Sequence, residues 1–196
     1  MSTILNIENL SGLLLTSSVL FGAAAPSAKA IEMVDIHHPQ PNDIVTDPVE
    51  VCGVGTGRHG EVTMQLLDDD ETELSQDFFR VGGVGIWRNF CVTLPLSSVP
   101  ETAQGELVVS TGTGPDGGPD AIIPVVFGEA IMDDYDGFRA HTVREGETLY
   151  SIAQEYYENP DDYQRIIDAN PQRIDDIEDL DVGESLRVPL PRDYMR

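Results

Sequence analysis

From Ile31 onward, helical spacing occurs in one place, between Thr148 and Asn170, and prolines divide it into two short helices. His141–Arg144 alternates as a short strand before a turn at Gly146. Thr148 then suits an N-cap, because its hydroxyl can accept from an unpaired amide of the first helical turn. Leu149, Ile152, Ala153 and Tyr156 follow at i, i+3, i+4 and i+7, one apolar stripe of an amphipathic helix. Asn159-Pro160 stops that helix and starts another, with Asn159 as cap and Pro160 at the first helical position. Asp161 and Asp162 sit where the helix dipole favours negative charge. Tyr163, Ile166, Ile167 and Asn170 repeat the spacing, Pro171 closes it, and Leu186–Val188 supply a returning strand. The expected product is a compact α+β unit of βααβ order over residues 140–191, with 192–196 as a tail.

The run Val143-x-x-Gly146-Glu147-Thr148-Leu149-x-x-Ile152-Ala153, with Ala169-Asn170 and Gly183-x-x-Leu186-x-Val188-Pro189, resembles the LysM family. The resemblance implies binding of glycans rich in N-acetylglucosamine, chiefly peptidoglycan or a chitin-like glycan, by a module without catalytic residues. It implies a shallow groove between two loops: Gly146, Glu147, Thr148 and Leu149 on one side, Leu180, Asp181 and Val182 on the other. The sugar would be held by loop backbone and Thr148, with Leu149 and Leu180 against its faces. Glu147 stands where the family usually has Asp. Asp181-Val182 replaces an aromatic-proline pair and so removes a stacking surface.

Residues 31–128 read differently. Short alternating segments, Val49–Val54, Glu61–Leu67, Glu73–Arg80, Trp87–Leu94, Glu106–Thr111 and Ala121–Phe127, are separated by turn residues. This pattern predicts an all-β, antiparallel sandwich. The pieces Pro39-x-Pro41-Asn42-Asp43-x-Val45, Pro48-Val49-x-Val51-x-Gly53 and Trp87-x-x-Phe90-x-Val92-x-Leu94 resemble an immunoglobulin-like domain of bacterial spore-germination-associated proteins. That resemblance implies a scaffold or adhesion module with an unidentified envelope partner. Residues 129–139 read as an acidic linker between the two domains.

Charge excludes one class of partner. The chain carries 35 acidic and 11 basic residues, a formal charge of -24, so it lacks the Lys and Arg that displace counterions from a nucleic acid. Hydrophobic content of 40% is enough for packed cores, so the charge does not signal disorder. Lys29 is the only lysine beside ten arginines, a bias that fits a halophilic host. At about 1 M salt the Debye length falls to roughly 3 Å and self-repulsion is screened. Leu10–Ala25 is apolar, and Ala28-x-Ala30 matches a signal-peptidase site with a mature start near Ile31, although residues 1–9 contain no Lys or Arg. The reading is an exported protein of the envelope or extracellular space that does not span the membrane. The alternative is a tail over residues 1–30 on a cytoplasmic protein.

Cys52 is out of phase with Val49 and Val51, and Cys91 with Phe90, Val92 and Leu94, so both thiols face away from the core. Two readings stay open: a bridge on the outer face, stabilising by about 3–4 kcal/mol, or two separate thiols. Other motifs carry no chemistry. Gly55-x-Gly57-x-x-Gly60 is followed by strand alternation rather than the helix a dinucleotide fingerprint needs. Asp68–Glu71 lacks the glycine and terminal glutamate of a calcium loop. His37, His38, His59 and His141 have no spacing that makes a metal site with the cysteines. No nucleophile elbow is present. The expectation is a non-enzymatic, two-domain envelope protein without metal or cofactor. Its rivals are an intracellular scaffold that uses the LysM fold for protein or ion contacts, and an accessory part of a wall hydrolase.

Overall fold

The computed structural model describes residues 33–57, 59–112, 118–174, 177–178 and 180–195. The apolar segment read as a signal peptide lies outside them. No helix among the described residues is long and apolar enough to cross a membrane.

Among the described residues, eight strands form the N-terminal domain: β1 (Val34–His38), β2 (Asp43–Val45), β3 (Val49–Gly55), β4 (Glu61–Asp68), β5 (Glu73–Arg80), β6 (Arg88–Leu94), β7 (Gln104–Ser110) and β8 (Ala121–Phe127). They pair as a three-stranded sheet, β1-β3-β6, and a five-stranded sheet, β2-β8-β7-β4-β5. Period-two alternation sends Val49 and Val51 of β3, Val62, Met64 and Leu66 of β4, and Leu107 and Val109 of β7 into one shared core with Phe127. Gly105 belongs to that inner face because a Cβ there would run into the Leu67 carbonyl and the Phe127 ring.

Two strands escaped sequence reading. β1 is short, and β2 has three residues and pairs parallel to β8, Asp43 opposite Val125 and Val45 opposite Phe127. The sandwich is therefore not wholly antiparallel; β2 finds its partner by burial of Val45, which no local pattern encodes. The Asp68 tip is a hairpin turn, with Asp68 Oδ1 accepting from the Asp70 and Thr72 amides at 3.1 and 2.8 Å. Cys52 and Cys91 lie directly opposite each other on neighbouring β3 and β6 and are joined by a disulfide, outside the buried row of Val49 and Val51.

Residues 129–139, read as an acidic linker, hold most of a helical turn, α1 (Gly128–Ile131), and the start of β9 (Tyr135–Thr142). The join is packed: Tyr135 covers Gly128 where a Cβ would strike its ring. β9 pairs antiparallel with β10 (Ser185–Pro191). Between them lie α2 (Leu149–Tyr157), a 3-10 turn over Pro160–Tyr163, and α3 (Gln164–Asp168). α2 ends where Glu158 turns left-handed, and Asn159 caps the next turn by accepting from the Asp161 amide. The second helix is thus shorter than its apolar spacing suggests. Leu149, Ile152, Ala153 and Ile166 pack against Val143, Leu186 and Val188. A third cluster spans both domains, with Val126, Ile44 and Ala103 of the sandwich against Ala169, and Ile131 of α1 included. Gln172 Nε2 and Arg187 Nη1 also donate to the Pro41 and Asn42 carbonyls, at 3.3 and 2.7 Å.

Candidate functional site

Pairing of β9 with β10 fixes the position of two turns. Their ladder ends at Thr142 opposite Ser185, and Val143 extends it by donating to Glu184 O and accepting from Gly183 N, both at 2.8 Å. Arg144–Glu147, which leaves β9, and Asp181–Glu184, which enters β10, therefore stand at the same end of the sheet. Each turn closes on a backbone bond, Glu147 N to Arg144 O and Glu184 N to Asp181 O. Each contains a glycine at positive φ, Gly146 at 81° and Gly183 at 93°, a conformation that disfavours other residues. A Cβ on either glycine would meet nothing within 4 Å, so both turns present open backbone.

The expected site residues divide into two groups. Gly146, Thr148, Asp181 and Val182 are exposed at these turns, Val182 by 66%. Thr148 caps α2: its hydroxyl accepts from the Ser151 amide at 3.2 Å, and its own amide donates to Ser151 Oγ at 2.9 Å. Among the described residues its hydroxyl proton has no acceptor. Leu149 is a correction, since its side chain is fully buried as the first residue of the α2 stripe and cannot lie against a sugar face. Leu180 is half-buried against the same cluster.

Glu147 turns inward. Its Oε2 accepts from the Arg144 amide at 2.7 Å and lies 2.9 Å from His141 Nε2. His141, only 4% exposed, places Nδ1 3.2 Å from the Tyr156 hydroxyl. This chain of contacts ties the first turn to β9 and α2. Burial pushes the Glu147 carboxyl up, but the His141 bond, the Arg144 amide and the charges of His141 and Arg144 outweigh it and hold the carboxyl below its ordinary 4.5. A depressed carboxyl stabilises above its unfolded pKa, and that contribution disappears as pH falls through the folded value. Amide exchange should show the Arg144–Thr148 turn losing protection as pH falls below 4.5. Glu147→Gln should flatten that dependence.

Sequence reading missed Tyr150. It follows Leu149 but lies off the α2 stripe, which is the signal that could have found it. It is 45% exposed and rests on Tyr163, ring centroids 4.7 Å apart. Burial, then Tyr163, Asp161 and Glu178, push its phenol up. An exposed aromatic ring thus stands at the start of α2, two residues past Thr148, although the position before Gly183 has none.

A β-sandwich followed by a βααβ unit with paired open turns defines a two-domain protein of the binding-module class. Residues 33–118 match the immunoglobulin-like domain of bacterial spore germination, and residues 141–189, after it in the chain, match the LysM domain. Both are non-catalytic domains of the binding type, and glycan binding, chiefly of peptidoglycan, is the general role of LysM domains. No curated protein matches the chain significantly.

Proposed function

We propose that this protein is an exported, non-catalytic envelope protein that holds an N-acetylglucosamine-containing glycan between the Arg144–Glu147 and Asp181–Glu184 turns. The sandwich carries and displays the binding domain. The observation behind this reading is the juxtaposition of two glycine-opened turns across Val143. Turn amides and the Thr148 hydroxyl supply hydrogen bonds to N-acetyl and hydroxyl groups. Tyr150 and Val182 supply apolar surface in place of the buried Leu149.

Charge sets the conditions. Residues 140–196 contain 14 acidic side chains and 6 arginines, a net of -8, and peptidoglycan is itself anionic. Long-range repulsion opposes binding at low salt and is screened as salt rises. Pull-down on purified cell wall should therefore capture more protein at about 1 M than at about 0.1 M salt. Capture that falls with salt contradicts the reading. Tyr150→Ala should weaken binding of chitin oligomers roughly five- to tenfold, the worth of one aromatic contact, and, because the ring also rests on Tyr163, should lower the thermal midpoint by roughly 4–8 °C. Equal affinity would remove Tyr150 from the site.

A further inference from the structure

We infer that the cleft between the two domains is a second binding site, one that takes a carboxylate. It encloses about 230 Å³ between the Pro41–Asp43 segment of the sandwich and the face of the β9–β10 sheet turned away from α2. Register defines that face: Ala140 is opposite Arg187, and Phe138 and Ser185 lie two residues along on the same side. Arg173 approaches from the segment after α3.

In a chain with a formal charge of -24, two of its ten arginines meet here. Arg187 is the less satisfied. A guanidinium has five N–H donors, and among the described residues this one gives a single hydrogen bond, Nη1 to Asn42 O at 2.7 Å. Among the described residues no carboxylate lies within 4.0 Å of it. Tyr135 is near, but burial pushes its phenol up to about 12, so it offers no negative charge at neutral pH. Asp43 lines the cleft, but its Oδ2 already accepts from Gln40 N at 2.8 Å and lies 3.7 Å from His38. Burial, the largest influence, pulls the Arg187 pKa down; Tyr135 and Asp43 offset part of this, and Arg173 adds to it. Arg173 is half-exposed and reaches Glu184 only at 3.6 Å.

A half-buried cation with no described carboxylate in direct contact carries a desolvation cost that Asp43 offsets only in part. A carboxylate removes it, because its two oxygens match the planar fork of a guanidinium. The volume is below the roughly 300–1,000 Å³ of sites that enclose a drug-sized molecule. It therefore suits a carboxylate and a short stem, with exposed Phe138 as an apolar wall. The carboxylate could be free in solution or carried by an amino sugar, since Ser185 directly follows the Asp181–Glu184 turn. The inference does not rest on glycan binding at those turns.

The test is side-chain NMR of the arginine Nε–Hε groups in the full chain at fixed ionic strength. Sodium acetate replaces sodium chloride in one titration; N-acetylmuramic acid and neutral N-acetylglucosamine are the other probes. Saturable shifts of Arg187 and Arg173 are expected with both carboxylates and not with N-acetylglucosamine. Tighter binding of N-acetylmuramic acid than acetate assigns the carboxylate to a sugar, and equal binding assigns it to a free anion. Arg187→Met should abolish the response. Arg173→Gln, at a half-exposed position whose loss the fold tolerates, should weaken it roughly fivefold or more. Arginine signals that respond to neither carboxylate overturn the inference. N-acetylglucosamine shifts at the Gly146 and Gly183 amides with silent arginines would sink the cleft alone; silence at those amides with responding arginines would sink the turn site alone.

Discussion

Asn170→Ala is expected to destabilise the C-terminal domain by about 3–5 kcal/mol, enough to unfold it. The side chain is 1% exposed and makes three hydrogen bonds. Nδ2 donates to Ile166 O and to Arg187 O, both at 2.7 Å, and Oδ1 accepts from Arg187 N at 2.8 Å. The amide thus acts as one rung of sheet between the end of α3 and β10. Alanine would leave backbone groups of Arg187 buried without partners, and each such group costs roughly 1–3 kcal/mol. A core of this size rarely supplies more than about 3–5 kcal/mol, so no reserve remains. Hydrogen exchange should show protection lost across α2, α3 and β10 while β3, β4 and β7 stay protected. Asn170→Asp keeps the acceptor but turns a second oxygen toward two carbonyls, and it should fail similarly at neutral pH. An unchanged denaturation midpoint for Asn170→Ala would disprove this account of the domain.

Reducing Cys52–Cys91, or replacing both by alanine, should cost the sandwich about 4 kcal/mol. The bridge closes a loop of sequence separation 39, and chain entropy assigns about that value to such a closure. For a domain of this size the thermal midpoint should fall by roughly 15–30 °C. The unfolded chain gains most of the freedom, since β3 and β6 are already paired from Val49–Leu94 to Gly55–Arg88. The reduced protein should therefore keep its native far-ultraviolet spectrum at low temperature and differ chiefly in its midpoint. Equal midpoints with and without reductant would show that the bridge adds nothing.

Legibility followed the range of the interaction. Most strand boundaries in the sandwich were readable because alternation is a nearest-neighbour pattern, and Glu73–Arg80 and Ala121–Phe127 appear as read. Thr148 was readable as a cap because Oγ needs only an amide three residues on. Leu149 was misassigned because one position served two arguments: the helical stripe placed it in the core, and the loop resemblance placed it against sugar. Packing decided for the core. Glu147 looked like a loop residue, and only the fold brought buried His141 within 2.9 Å of it.

By itself, then, the sequence determined two domains, their order and the periodicity of nearly every element, since period, cap and proline act within a few residues. The tertiary structure alone decided the parallel pairing of β2 with β8, the packed join at Tyr135 and the meeting of Arg173 with Arg187. Those depend on which distant surfaces exclude water together. Asn42 and Arg187 are 145 residues apart and carry no local mark of each other.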